Sequence, residues 1–218
     1  MKVKLIFIMA VMLLTGCNGS NNTAEETTEI TTLAQSSQKD SILGAAEENY
    51  IDYNAVCANI VIDGEAYSMP FTYDDISKNY DCTEARKGSS EGYFVASLEN
   101  SEGKKLAVEI KDTETNGENL NDKPITAITV NAFINDTEGN YYYDDLEEKA
   151  ADISFNGVRV GMSLEEVQKA WGVADMYQEQ GTKGTAHTYM SGDQKMTVQV
   201  MTDFDNKVYS ITLVNHRL

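Results

Sequence analysis

Ile153-Ser154-Phe155-Asn156-Gly157, followed by Ser163-Leu164-Glu165-Glu166-Val167-Gln168-Lys169-Ala170-Trp171, is a plan this chain states twice. The first statement runs Ile60-Val61-Ile62-Asp63-Gly64, then Thr72-Tyr73-Asp74-Asp75-Ile76-Ser77-Lys78-Asn79-Tyr80. A segment that recurs in the same order is the mark of a duplicated folding unit. Asp63-Gly64 and Asn156-Gly157 are dipeptides suited to a two-residue hairpin turn, because both central positions need positive φ. Each half therefore opens with a β-hairpin.

A short helix follows each hairpin. Thr72 with Asp75 and Ser163 with Glu166 read [ST]-x-x-[DE], in which the hydroxyl caps a first-turn N–H and the acid faces the positive end of the helix dipole. Tyr73, Ile76 and Tyr80 fall at i, i+3, i+7, as do Leu164, Val167 and Trp171, so each helix has one apolar face. Gly172 suits the position just past the second helix.

Downstream the period changes to two. Tyr93–Leu98, Leu106–Ile110 and Ile125–Val130 read as strands in the first half, and Ala186–Met190, Met196–Val200 and Val208–Leu213 in the second. Ala127-Ile128-Thr129-Val130 corresponds to Ser210-Ile211-Thr212-Leu213. The fold class expected is α+β: two tandem units, each a β-hairpin, a short helix and a three-stranded antiparallel meander, with the helix packed on one sheet face. The units span residues 50–140 and 141–218. Alternation leaves the other face of each meander polar.

The N-terminus speaks to location. Met1-Lys-Val-Lys, the apolar run Leu5 to Leu14 and Leu14-Thr15-Gly16-Cys17 resemble the leader and lipobox of a bacterial lipoprotein. The run is too short to cross ~30 Å of hydrocarbon as a helix. That resemblance implies a signal peptide at 1–16, removed in the mature chain, and lipid attachment at Cys17. Two acyl chains at ~0.8 kcal/mol per buried CH₂ give lasting attachment where one does not. An ordinary secretory signal with an incidental cysteine is the competing reading. Residues 17–49 complete the tether. Between Asn18 and Glu48 the chain is rich in Thr, Ser, Asn, Gln and Glu, with no aromatic residue, and cannot bury enough surface to repay ordering. As a flexible chain it reaches roughly 30 Å.

Charge narrows the partners. The sequence carries 17 Lys+Arg against 35 Asp+Glu, a net −18, and loss of Lys2 and Lys4 with the leader lowers it to −20. Phosphate binding needs a dense basic surface, and no basic stripe is present, so no nucleic acid partner is expected. The acidic body also stands off anionic headgroups, so the membrane is a partner through the N-terminal lipid alone. Beyond Cys17 two cysteines remain, Cys57 and Cys82. An exported chain permits a disulfide between them, closing about 26 residues and worth ~3.5 kcal/mol. Two buried free thiols are the alternative.

Gly161-Met162-Ser163-Leu164-Glu165-Glu166-Val167, with Trp171-Gly172 behind it, resembles the G-M-[ST]-x-x-E-V…G helix of the β-lactamase-inhibitor-protein-like and outer-membrane small-lipoprotein superfamily. Ile62-Asp63-Gly64 with Met69-Pro70 is similar to a segment of Gram-positive lipoproteins. The resemblance covers most of residues 58–214 and implies a small α/β unit used singly or in tandem. A hairpin precedes one helix here where the inhibitor has paired helices, and none of its enzyme-contacting loop aligns, so no functional residue is carried over.

Catalytic and metal signatures are sparse. There is no G-x-S-x-G, glycine-rich phosphate loop, H-E-x-x-H or C-x-x-C. A Cys-His dyad of Cys57 or Cys82 with His187 has no orienting partner in the sequence, and His216 lies near the last residue. Asp112-Thr113-Glu114-Thr115-Asn116-Gly117-Glu118 imitates a calcium loop but has Lys123 where a bidentate Glu belongs. It reads as a solvated turn, as do Asn135–Asn140 and Asp203–Asn206, with weak calcium ligation as the alternative. No catalytic residue, metal ligand or cofactor is assigned. Tyr141-Tyr142-Tyr143, between the units, form a candidate binding surface, since tyrosine offers amphipathic area at small entropic cost; packing in the seam is the competing role. The function expected is a lipid-anchored, extracytoplasmic binding module for a protein, peptide or envelope polymer, using an exposed sheet face or the groove between units. The alternatives are a small envelope hydrolase, Cys-His or metal-assisted, and an envelope assembly or stress accessory lipoprotein.

Overall fold

Two hairpins of two- and three-residue strands cannot stand alone in water, and here they stand together. The computed structural model describes residues 51–114, 117, 119–132, 134–135, 141–142 and 150–218. The leader at 1–16, Cys17, the tether and Tyr143 lie outside the described residues. A helix α1 (Tyr53–Ala58), capped by the Asp52 carboxylate, precedes the first hairpin of β1 (Ile60–Ile62) and β2 (Glu65–Tyr67). The second hairpin is β9 (Ile153–Phe155) with β10 (Val158–Arg159). Asp63 and Gly64 adopt φ of 50° and 82°, and Asn156 and Gly157 47° and 84°, the left-handed pair that the turn dipeptides predict. The hairpins join as one antiparallel sheet in the order β10-β9-β1-β2. Val61 faces Ser154, its own counterpart, and the turn residues cross over: Asp63 N–H donates to Asp152 O, and Asn156 N–H to Asn59 O. Equivalent residues opposite one another are the signature of a local two-fold.

The helix after the first hairpin is shorter than the apolar spacing suggests, and the one after the second spans it in full. α2 (Tyr73–Ile76) is a single turn, with Tyr80 beyond it yet 1% exposed. α3 (Leu164–Trp171) holds two turns and buries Val167 and Trp171. Both capping boxes form: the Asp75 carboxylate accepts from Thr72 N–H at 2.7 Å and Glu166 from Ser163 N–H at 2.8 Å. Gly172 ends α3 with φ 81°, donating to Gln168 O. Behind each cap the backbone is pinned alike, Ile125 N–H to Phe71 O and Val208 N–H to Met162 O, both at 2.8 Å.

The remaining strands form one eight-stranded antiparallel sheet. In the first half these are β3 (Asp81–Lys87), β4 (Tyr93–Glu99), β5 (Lys105–Lys111) and β6 (Ile125–Asn131). The second half supplies β11 (Met176–Glu179), β12 (Thr185–Met190), β13 (Met196–Thr202) and β14 (Val208–Asn215). Their order, β11-β12-β13-β14-β6-β5-β4-β3, puts the two halves edge to edge at β14 and β6. There Thr212 faces Thr129, again its counterpart, with Oγ1 atoms 3.1 Å apart. A separate ribbon pairs β7 (Ile134–Asn135) with β8 (Tyr141–Tyr142). Inward residues of both sheets share a single core: Ile60, Ile153 and Phe155 with Val108, Ile128, Leu213 and Val198, under Val56, Ile76, Val167 and Trp171.

The α+β class of two tandem units is thus overturned. The described residues are mostly β, 47% strand against 14% helix, and the two sheets of four and eight strands are shared by both halves. Each meander also has four strands, not three. The cause lies in the edges: β1, β9, β6 and β14 carry no charged residue, and an open edge of that kind seeks a partner. Each half supplies the partner for the other. Residues Glu48–Leu218 form one compact unit with a self-contained core.

Candidate functional site

Alternation along the eight strands sends Tyr189, Val198, Leu213, Ile128 and Val108 into the core, all of them buried. Their neighbours make the outer face, and the strand registers set these in rows across the sheet. The central row runs Met176, Thr188, Gln199, Thr212, Thr129, Ala107, Ser97, Glu84. Beside it lie Met190, Thr197, Val214, Ala127, Glu109, Val95 and Arg86. On the other side come Gln178, Ala186, Met201, Ser210 and Asn131. From β11 to β6 this face holds no charged side chain, although 24% of the chain is charged. From β5 to β3 it carries Glu84, Arg86, Glu99, Lys105, Glu109 and Lys111.

The uncharged half is chemically distinct. Thr188, Thr197, Gln199 and Thr212 offer neutral donors and acceptors, while Met176, Met190 and Met201 supply pliable apolar contact of a kind favoured at adaptable binding surfaces. Small residues, Ala127 and Ala186 among them, lie low between these side chains. From β11 to β6 the outward positions present no charged or acid-base side chain.

The groove between the halves is slighter. It is an open cleft of ≈ 220 Å³ lined by Lys104, Asp152, Arg159, Val160 and the segment Ala150, Ala151 and Ile153. Lys104 is already paired with Glu102 at 3.5 Å.

The sequence-predicted residues are scattered by the fold. Cys57 and Cys82 are free thiols, correcting the disulfide that the compartment permits. Cys57 is buried on α1 with Sγ 3.7 Å from Asn215 Nδ2, whereas Cys82 is exposed on the edge strand β3, opposite Leu98. The two occupy different elements with different neighbours. Burial pushes the Cys57 thiol up to about 11 and raises that of Cys82, so neither is poised as a thiolate. His187 is buried on β12 with Nε2 3.1 Å from Thr202 Oγ1, and burial lowers its pKa. The Cys-His dyad is not assembled. His216 packs edge-on against Tyr93 at 6.0 Å.

Asp112 spends its carboxylate on its own loop, accepting from Glu114 N–H and Gly117 N–H, and Lys123 returns to Glu114 at 2.8 Å. Asp203 likewise accepts from Asp205 and Lys207 N–H. Of the turn Asn135–Asn140, residues 136–140 fall outside the described residues. Tyr141 and Tyr142 lie on β8 by their backbone, and their side chains are outside the described residues. No motif marks the methionines and threonines of the outer rows; the alternation of Met196–Thr202 and Val208–Asn215, aligned in register, is the signal that finds them.

No family model, curated protein or solved structure matches this chain.

Proposed function

We propose that the protein is a lipid-anchored, extracytoplasmic binding module that holds a protein, peptide or envelope polymer against the uncharged half of its outer sheet face. One observation carries the reading. In a chain of net charge −18, the outward positions of five adjacent strands bear no charge at all. Solubility favours scattered charge on an exposed sheet, so its exclusion from one region marks a surface kept clear for contact. Titratable groups do not converge there, which favours binding over catalysis. The leader and Cys17 support attachment by lipid, and among the described residues no helix is long and apolar enough to cross a membrane.

The test places a photo-activated cross-linking side chain at Gln199, exposed in the central row, in the native envelope. A specific covalent adduct is expected from Gln199 and not from Glu84, at the charged end of the same row. Adducts from neither site, or equal adducts from both, overturn the reading. Cys17→Ser should release the protein from the membrane fraction; retention would refute lipid attachment.

A further inference from the structure

The two outer edges of the eight-stranded sheet are counterparts in the repeat, yet they are built for opposite ends. β3 is seven residues long, all exposed, with Asp81, Glu84, Arg86 and Lys87 along it and a bulge at Thr83. Charges and a bulge are the usual means of keeping an edge from pairing. β11 has no bulge and one charge. It reads Met176-Tyr177-Gln178-Glu179, and three of the four exposed large apolar residues described gather on or beside it: Val173 at 75%, Met176 at 46% and Tyr177 at 65%.

The hydrogen-bond phase of β11 tells which backbone groups are open. Gln180 N–H donates to Gly184 O, so by antiparallel alternation Gln178 and Met176 also face β12. The N–H and C=O of Tyr177 and Glu179 therefore point to the free edge. A second β11, antiparallel, can meet these groups in three near registers. Centring on Tyr177 sets Glu179 against Asp175 of the other copy, and centring on Glu179 sets two glutamates face to face. Centring on Gln178 sets Tyr177 against Glu179, Met176 against Gln180, and no like charges opposite.

We propose that a second copy of this chain pairs on β11, antiparallel about Gln178, to give a two-fold dimer with a continuous sixteen-stranded sheet. The chain already joins its own halves in this manner, Thr129 against Thr212 and Val61 against Ser154. The uncharged half of the outer face borders β11, so the dimer fuses two such halves into one surface. The inference does not depend on what that face binds. Two bodies of strong negative charge repel at long range, so added salt should strengthen the dimer, the reverse of a contact held by ion pairs.

The test is sedimentation of the purified Glu48–Leu218 unit across micromolar to millimolar concentrations, at low and high salt. A reversible dimer is expected, tightening with salt. Gln178→Lys and Gln178→Glu should each weaken it roughly ten-fold or more by placing like charges across the axis, and an equimolar mixture of the two should restore it. Tyr177→Pro removes an outward N–H and an exposed ring, twice per dimer, and should weaken association roughly ten-fold or more with little change in melting. A monomer under all conditions overturns the proposal. So does a dimer indifferent to Tyr177→Pro and to both Gln178 variants.

Discussion

Phe155→Ala would report whether the two halves unfold as one. Phe155 lies on β9, wholly buried, directly opposite Ile60 of β1 across the join between hairpins. Truncating a buried phenylalanine removes its transfer energy and leaves a cavity, about 3–5 kcal/mol in all. In a unit of this size each kcal/mol moves the melting midpoint by about 2–4 °C, so the shift should be about 6–20 °C. Two probes in different halves follow it: fluorescence of Trp171 on α3, and reaction of the buried Cys57 thiol on α1 with a disulfide reagent. With a shared core both probes move together by the same amount, in a single transition. The cycle with Ile60→Ala should be non-additive by about 0.5–3 kcal/mol, because the residues are paired across the join. Loss of the Trp171 signal while Cys57 stays protected as in the unaltered chain would refute the single core, as would strict additivity of the two substitutions.

Acid should act on this fold through His187, whose pKa burial depresses. The unfolded chain then binds the proton more readily, so stability is full above the unfolded value of about 6.5 and declines as pH falls toward the folded value. His187→Gln should flatten the fall in melting midpoint between neutral pH and about pH 5; an unchanged slope refutes it. Alkylation without reductant, read by mass spectrometry, should label Cys82 in the native unit and Cys57 only on unfolding, while failure to label either before reduction would reveal a bridge. Ser163→Ala deletes the α3 cap, where Glu166 N–H meets Ser163 Oγ at 3.3 Å. It should cost about 1 kcal/mol, seen as a midpoint lower by a few degrees.

Local structure was legible because local rules decided it. Asp63-Gly64 and Asn156-Gly157 need left-handed turns, Thr72 and Ser163 need acids three residues on, and each is found so. The strands around Phe94, Val108, Ile128, Val198 and Ile211 sit within a residue or two of where alternation puts them. What could not be read was the joining. Whether β6 closes on its own meander or meets β14 depends on a free-energy difference between edges far apart in sequence, and no local motif records it. β3 leaves no periodic signal because Asp81–Lys87 is exposed on both faces and shows no apolar alternation. The same holds for β11, exposed at all four positions. Alternation alone marks the outer face as polar, but its division into charged and uncharged halves emerges only when the registers of neighbouring strands are aligned.

That division is where the two repeats part company. Their inner sides are held alike by a common need: Ile76 and Val167, and Tyr80 and Trp171, answer one another because a shared core leaves small room for change. The outer side bears no such constraint, so its differences reflect use more directly than its likenesses do. The first half spends that freedom on Glu84, Arg86, Glu99, Glu109 and Lys111, an ordinary solvated face with a guarded edge. The second half places Met176, Met190, Met201, Thr188, Thr197 and Gln199 in the matching region, beside an edge with no bulge and one charge. An outward methionine costs solubility, and although Met201 also packs against the core, three on one face with no charge among them are hard to account for by stability alone. A swap makes this quantitative: charges placed at Thr188 and Gln199 should leave melting within about 0.5 kcal/mol of its starting value, as surface changes do, yet abolish the Gln199-side contact in the envelope. If such charges instead destabilise the fold by several kcal/mol, the uncharged face is serving packing, and the recognition surface must be sought elsewhere.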